Sequence, residues 1–395
     1  MNEPVLRFPS FEDSYKKIKL GDYLSSYKDK TKMNNQYPVL TSSRKGLFLQ
    51  ENYFNQNVAS ENNTGYNIVP YGYFTYRHMS DDATFKFNIN NLVENGIVST
   101  LYPVFTTKKG LESNYLRSLL NEGRAFKKYC LLQKQGGSRT YMYFSKLEEF
   151  EAYIPSIDEQ IKVVSLITLL DKNISKQLEK IDLLKVSRKV YIQKIFTKQL
   201  RFKDQDGKDF DDWKKFKLKD LLVAYNEKTT MNNQYPALTS SRRGLFLQSE
   251  YFNKQIASED NTRYNIVPYG YFTYRHMSDD ATFKFNINDI VENGIVSTLY
   301  PVFTTNEKVD KYFLKYFLNE SSLFKKYGLL QQQGGSRTYM YFSKLIEFES
   351  EFPSNEEQLK IADFLKGIDN KIQKENSKYD LLVKQKQSLM QKMFI

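Results

Sequence analysis

Two stretches of the chain carry a narrow apolar stripe at helical spacing. In 156–200, Ile161, Val164, Ile167, Leu170, Ile174, Leu178, Ile181 and Leu184 recur every three or four residues. In 354–395, Leu359, Ala362, Leu365, Ile368, Ile372, Tyr379 and Leu382 follow the same rhythm. A stripe this narrow, held over about 35 residues, predicts a coiled-coil seam. At about 1.5 Å per residue each helix is on the order of 60 Å long. Both start just after a proline, in Pro155-Ser-Ile-Asp-Glu-Gln and Pro353-Ser-Asn-Glu-Glu-Gln. Ser156 and Ser354 suit the N-cap, and Glu159 and Glu357, three residues on, complete a predicted capping box. A lone seam would stay in water. Two seams of equal length can cover each other, and duplicated units related by a two-fold axis predict an antiparallel pair.

The pattern before each helix is different. FTYRHM, TFKFNI and IVSTLYPVF are aromatic and β-branched runs bounded by Asn, Asp and Gly, which predict short strands. ESNYLRSLLNEGRAFKKY predicts a helix over 112–129. These stretches occur twice. MNNQYPVLTSSRKGLFLQ at 33–50 returns as MNNQYPALTSSRRGLFLQ at 231–248. Residues 64–107 return at 262–305 with three changes: Gly65/Arg263, Asn91/Asp289 and Leu92/Ile290. The helical stretches match far less well. The predicted organisation is a globular stretch 1–155, a helix 156–200, a turn-rich linker 201–214, a second globular stretch 215–353 and a second helix 354–395. The fold class is α+β: two similar mixed α/β domains separated by two long helices in an antiparallel coiled coil, pseudo-two-fold symmetric.

Composition narrows the chemistry. Of 395 residues, 58 are Lys or Arg against 46 Asp or Glu, a net charge of +12, which suggests a polyanionic partner. Cys130 is the single cysteine, so a disulfide framework is excluded. It aligns with Gly328 and serves no role common to both copies. With two histidines in the chain, a His/Cys metal centre is not expected. No apolar run reaches membrane-spanning length, and MNEPVLRFPSFEDSYKK lacks the apolar core of a signal peptide, so the expected compartment is the cytoplasm. Catalytic signatures are missing too. There is no phosphate loop, and IVPYGY (68–73, 266–271) lacks the leading Asn or Asp and the second Pro of a base-methyltransferase tetrad.

Basic residues gather at 108–149 and along the first helix. Such a distribution follows a phosphate backbone or, on the helix, forms a solvated lysine face. Three loops combine Arg with small polar residues. TSSRKG offers Thr41, Ser42, Ser43, Arg44 and Lys45, and TSSRRG offers Thr239, Ser240, Ser241, Arg242 and Arg243. Their guanidinium groups suit guanine edges, and their hydroxyls suit bases or phosphates. YRHMSDD brings Arg77 and His78, with Arg275 and His276 in the second copy. Its arginine either meets DNA or pairs structurally with Asp81 or Asp82. GGSRTY brings Gly136, Gly137, Ser138, Arg139 and Tyr141, repeated as Gly334, Gly335, Ser336, Arg337 and Tyr339. Its glycines permit close approach to a phosphate or base edge. These residues are the candidate DNA-binding set. Neither a catalytic residue nor a metal ligand is assigned.

The arrangement resembles the specificity subunit of a type I restriction–modification system. The resemblance rests on globular stretch and helix in alternation, the K-L-x-D-x-L lead-in (Lys19 to Leu24, Lys217 to Leu222), the GGSR loop, and P-S-x-x-E-Q opening a helix with Leu170-Asp171 or Ile368-Asp369. It implies that each globular stretch is a target recognition domain reading half of a split double-stranded DNA site. It implies that the coiled coil sets the spacer and docks two modification (methyltransferase) subunits. Those would hold S-adenosylmethionine and methylate adenine, leaving this chain non-catalytic and without a cofactor. Where present, two restriction (motor and nuclease) subunits would complete a phage-defence complex. Three other readings stay open on residues alone: a pseudo-dimeric DNA-binding regulator without enzyme partners, a stand-alone methyltransferase or nuclease, and a coiled-coil scaffold.

Overall fold

The computed structural model describes residues 3–53, 62–134, 139–251, 260–332 and 337–394. The chain forms two compact units, Met1–Leu178 with Ser377–Ile395, and Glu179–Asn376. Each holds one globular stretch, the nearer half of one long helix and the farther half of the other.

In the first unit a four-stranded antiparallel sheet runs in the order Leu24–Tyr27, Val104–Thr107, Phe74–Thr75, Asn88–Ile89. Its inward face is aromatic. Phe74 stacks on Phe105 at 4.7 Å, and Tyr76, Phe87 and Phe126 close the core, all essentially inaccessible. Each such side chain contributes about 1.5–3 kcal/mol of burial. The second unit repeats this with Leu222–Tyr225, Val302–Thr305, Phe272–Tyr274 and Phe285–Ile287, where Phe272 and Phe303 stack at 4.8 Å. The helix expected over 112–129 is two helices, Ser113–Glu122 and Arg124–Leu132. The backbone turns extended at Gly123 (ψ 132°); at the equivalent Ser321 the hydroxyl accepts the Phe324 N–H and starts a new helix. Burial pushes the Cys130 thiol up to about 12, so it is a packing group.

A smaller layer stands beside the sheet. Asn67–Pro70 pairs with Asn95–Val98, and the hairpin Leu40–Ser43/Gly46–Leu49 lies on it. Gly96 is where the two meet: a Cβ there would come within 2.3 Å of the Leu40 side chain. Gly294 and Leu238 repeat the contact.

The long helices are Ile157–Phe196 and Asn355–Met393. Within the first unit, Val163 and Ile167 share a core with Met390, Met393 and Phe394, and Asp171 pairs with Lys386. Within the second, Lys180 meets Glu375, Arg188 meets Asp369, and Ile192 and Ile195 share a core with Ile361, Ala362 and Leu365. Numbers rise along one helix as they fall along the other, so the pairing in each unit is antiparallel, as expected. The seam differs in detail. Ile161, Leu178 and Leu359 are about half exposed, whereas Val163, Gln177 and Ile361 are buried. The register is shifted at each helix start because a glutamine takes the inward position. Gln160 accepts the Glu112 N–H and donates to the Gly110 and Pro155 carbonyls, and Gln358 does the same for Asp310, Lys308 and Pro353.

The capping boxes are also redirected. Ser354 Oγ accepts the Glu357 N–H, but the glutamate side chains turn away from the caps. Glu159, buried, accepts Arg7 and the Tyr15 hydroxyl; Glu357, buried, accepts Arg201 and Trp213 Nε1. The segment 201–214, expected as a linker, is therefore packed: Trp213 is buried and Phe202 lies against Phe364. It is the counterpart of 7–15.

Removing a buried partner strands the other charge. Glu357→Ala is expected to lower unfolding free energy by about 3 kcal/mol in urea titrations, and Glu357→Gln, which keeps an acceptor for Trp213, by less.

Candidate nucleic-acid interface

The hairpin tip carries Arg44 and Lys45 between Ser43 and Gly46. Gly46 has φ 135° and Gly244 has φ 141°, conformations that favour glycine. Ser43 Oγ accepts the Lys45 N–H and donates to the Gly46 carbonyl, closing the turn. Ser42 is buried; it donates to the Thr75 carbonyl and accepts from Asn88, which also holds the Ser43 carbonyl. Ser240 and Asn286 repeat these bonds. Ser42 and Ser240, buried, thus fix the hairpin to the sheet and are not presented to bases as predicted, whereas Ser43 and Ser241 close the turn and line the clefts.

Opposite the tip, Ser80 to Thr84 form a tight turn. Asp82 accepts from the Ser80 hydroxyl at 2.8 Å and from the Thr84 N–H at 3.0 Å. Ala83 sits at φ 58° and Ala281 at φ 57°, left-handed geometry that alanine adopts only at a cost. The turn aims two neighbouring carboxylates at two different loops. Asp82 takes Arg44 in a bidentate pair at 2.6 and 2.9 Å, and Asp81 takes Arg139 at 3.4 Å. In the second unit Asp280 takes Arg242 at 2.5 and 2.9 Å, and Asp279 takes Arg337 at 3.3 Å.

The structural alternative for YRHMSDD is therefore half right. The aspartates do pair with arginine, but with those of the other two loops. Arg77 and Arg275 are exposed and have no partner among the described residues. His78 and His276 are buried, each with Nδ1 bonded to a backbone carbonyl, of Leu101 or Leu299. They support the site from beneath and are not presented to a ligand, contrary to their candidate assignment. Gly136, Gly137, Ser138, Gly334, Gly335 and Ser336 lie outside the described residues. Tyr141 is 39% exposed.

Together these elements line an open cleft of about 470 Å³ in the first unit, walled by Thr41, Arg44, Lys45, Arg77, Met79 and Tyr102. The second unit has a cleft of about 460 Å³ with Thr239, Arg242, Arg243, Arg275, Met277 and Tyr300. Four basic side chains, Lys86 included, face one acid, Asp81, in the first lining; in the second, Lys284 completes four against Asp279. The clefts are cationic and suited to phosphate. Sequence reasoning passed over Lys86, Lys284, Tyr102 and Tyr300, which no local motif marks. Burial lowers the Lys284 pKa. Among the described residues, no group of three or more His, Cys, Asp or Glu is placed to hold a metal, and no helix is long and apolar enough to cross a membrane.

An arginine held by a carboxylate keeps its remaining N–H edge in one orientation, as rigid base reading requires. The two repeats thus carry matching cationic clefts, and a long helix follows each repeat. Residues 210–383 match the family model "Type I restriction modification DNA specificity domain". The second copy of the repeat, with most of its long helix, is therefore similar to the specificity domain of type I restriction–modification systems. Over 320 residues, 75% of this chain and 70% of the relative, the chain is 24% identical to the type I restriction enzyme MjaVIII specificity subunit of Methanocaldococcus jannaschii. Its fold is similar to the S subunit of a type I restriction–modification system from M. genitalium, with TM-score 0.52 and 12% identity, covering 100% of this chain and 99% of that one. HsdS from Thermoanaerobacter tengcongensis gives the same TM-score, identity and coverage. A chain from a study of complex assembly and conformational transition of the type I R-M system gives TM-score 0.58 at 12% identity, covering 95% of this chain and 96% of that one.

Arg44 and the bonds from Ser80 and Thr84 hold the Asp82 carboxyl well below the usual carboxylate range. The lowered pKa means that the pair persists at neutral pH and down through the ordinary range, and is lost only as pH falls through the folded-state value. In an NMR titration the Asp82 and Asp280 carboxyls are expected to titrate below the ordinary value of 3.8. Being exposed, the pair stabilises the fold by less than about 1 kcal/mol, so Asp82→Asn should barely move the melting temperature.

Proposed function

We propose that this chain is the DNA-recognition subunit of a type I restriction–modification complex, each globular stretch reading one half of a bipartite site in double-stranded DNA. The observation that carries this is the pair of matching cationic clefts, each with a carboxylate-braced arginine at its rim. Arg44 and Arg242 read bases, and Arg77, Arg275 and Lys45 or Arg243 neutralise phosphates. The domain limits follow the repeat: target recognition over 1–155 and 215–353, with the helices between and after them. The paired helices set the spacer and dock two modification subunits. Those subunits hold the S-adenosylmethionine and transfer the methyl group to adenine, so this chain is non-catalytic; restriction subunits, where present, supply motor and nuclease.

Because the linings are nearly the same, the two half-sites are nearly the same. Single-molecule sequencing of DNA from cells carrying this subunit and its methyltransferase is expected to show an interrupted, near-palindromic methylated motif. Two unrelated half-sites would refute the assignment. One degenerate position is compatible, since Arg263 adds an exposed cation where the first unit has Gly65.

The two arginine roles separate in binding assays. Arg44→Ala with Arg242→Ala should cost about 1–3 kcal/mol of discrimination per half-site. Arg77→Ala with Arg275→Ala should weaken all sequences alike and reduce the salt slope by about one phosphate per site.

A further inference from the structure

Beside each cleft the strand after Arg139 alternates outward, inward, outward. Met142 is inaccessible, whereas Tyr141 is 39% and Tyr143 53% exposed. Their rings are parallel, 5.7 Å apart and inclined by 10°. Tyr339 and Tyr341 repeat the arrangement at 5.7 Å and 10°. His78 stacks under Tyr143 at 5.3 Å, and His276 under Tyr341 at 5.1 Å. Each imidazole is tied to the Leu101 or Leu299 carbonyl. The strand itself is pinned, Met142 donating its N–H to His78 and accepting the Tyr76 hydroxyl. Neither phenol hydroxyl of the first pair has a partner among the described residues. The tyrosines thus form a rigid aromatic shelf facing solvent, and none of the described residues is stacked on its outer face.

The shelf adjoins the cleft. Tyr141 is paired across the strands with Met79, which lines the cleft with Arg77. A flat apolar face flanked by guanidinium groups is suited to a nucleobase, whose ring stacks while its phosphates meet the cations. An apolar protein surface would meet those cations unpaired.

We propose that Tyr141–Tyr143 and Tyr339–Tyr341 are stacking sites, each taking the face of one nucleobase displaced from its own stack at a half-site. This rests on the DNA-reading function above and adds a contact outside the arginine cleft. The ladder is held before binding, so little freedom is lost when a base arrives.

The test uses the full chain with its modification subunits and duplexes carrying the methylated motif, with 2-aminopurine placed at successive positions in and beside each half-site. Wild type and Tyr143→Phe/Tyr341→Phe are expected to give a position-specific fluorescence change in each half. Tyr143→Ala/Tyr341→Ala is expected to lose that change and to bind more weakly by about 5- to 150-fold per half-site, with melting temperature and subunit stoichiometry unaltered. Wild-type affinity in the alanine variant, with the same fluorescence profile, would overturn the shelf alone. So would loss of binding that tracks loss of the modification subunits, which would make the patch a protein-docking surface. If the wild-type complex does not prefer the motif over unrelated duplex, the DNA-reading function falls, and the shelf with it.

Discussion

Three loops that are far apart in sequence meet through two adjacent carboxylates. Asp81 and Asp82 draw Arg139 and Arg44 to one turn, and that turn is held at a left-handed alanine by Ser80 and Thr84. Without the carboxylates, the arginines of the hairpin and of the GGSR loop would be long flexible side chains at the rim, and the cationic lining would lose its geometry. The cost is local strain at one residue per unit. The gain is a guanidinium held in one orientation, beside an Arg77 that has no partner among the described residues.

The second organising feature lies at the helix starts. Each buried glutamate gathers an arginine and an aromatic donor from the segment leading into its unit's first strand, Arg7 with Tyr15 for Glu159 and Arg201 with Trp213 for Glu357. The glutamine beside it fastens the loop before the two short helices. One turn of helix thus joins three parts of its unit. Farther along, the helices are free to vary as pairs. Arg188 meets Asp369, Glu320 and Tyr316, whereas the equivalent Lys386 meets Asp171, with Ser118 where Tyr316 stands.

Much of this was legible in the chain. The repeat gave the unit count, the stripe gave the helices, and the charge with the three Arg-bearing loops pointed to the face that holds the clefts. Period alone placed Ile161, Leu178 and Leu359 in the seam, because it cannot know that Gln160 and Gln358 take the inward position through bonds to distant loops. Ser42 reads as a ligand group, because its partners, Thr75 and Asn88, are more than thirty residues away. His78 looked accessible for the same reason. Which arginine pairs with which aspartate is a tertiary fact: adjacency in YRHMSDD suggested Arg77, and the fold supplied Arg44 and Arg139. The shelf did leave a trace, the alternation Tyr141-Met142-Tyr143, but its support comes from His78, more than sixty residues earlier.

The near identity of the two aromatic cores has a consequence for how the chain reaches this state. Phe74, Phe105 and the central strands that carry them could accept their counterparts Phe272 and Phe303 with almost no change in packing, so nothing in those strands rejects an exchanged copy. Large chains with interchangeable segments are prone to such swaps while folding. Discrimination must come from the parts that differ: Trp213 against Tyr15, Tyr316 against Ser118, and the unlike halves of the long helices. Their divergence is thus a safeguard for correct assembly, which a perfectly duplicated polypeptide would lack.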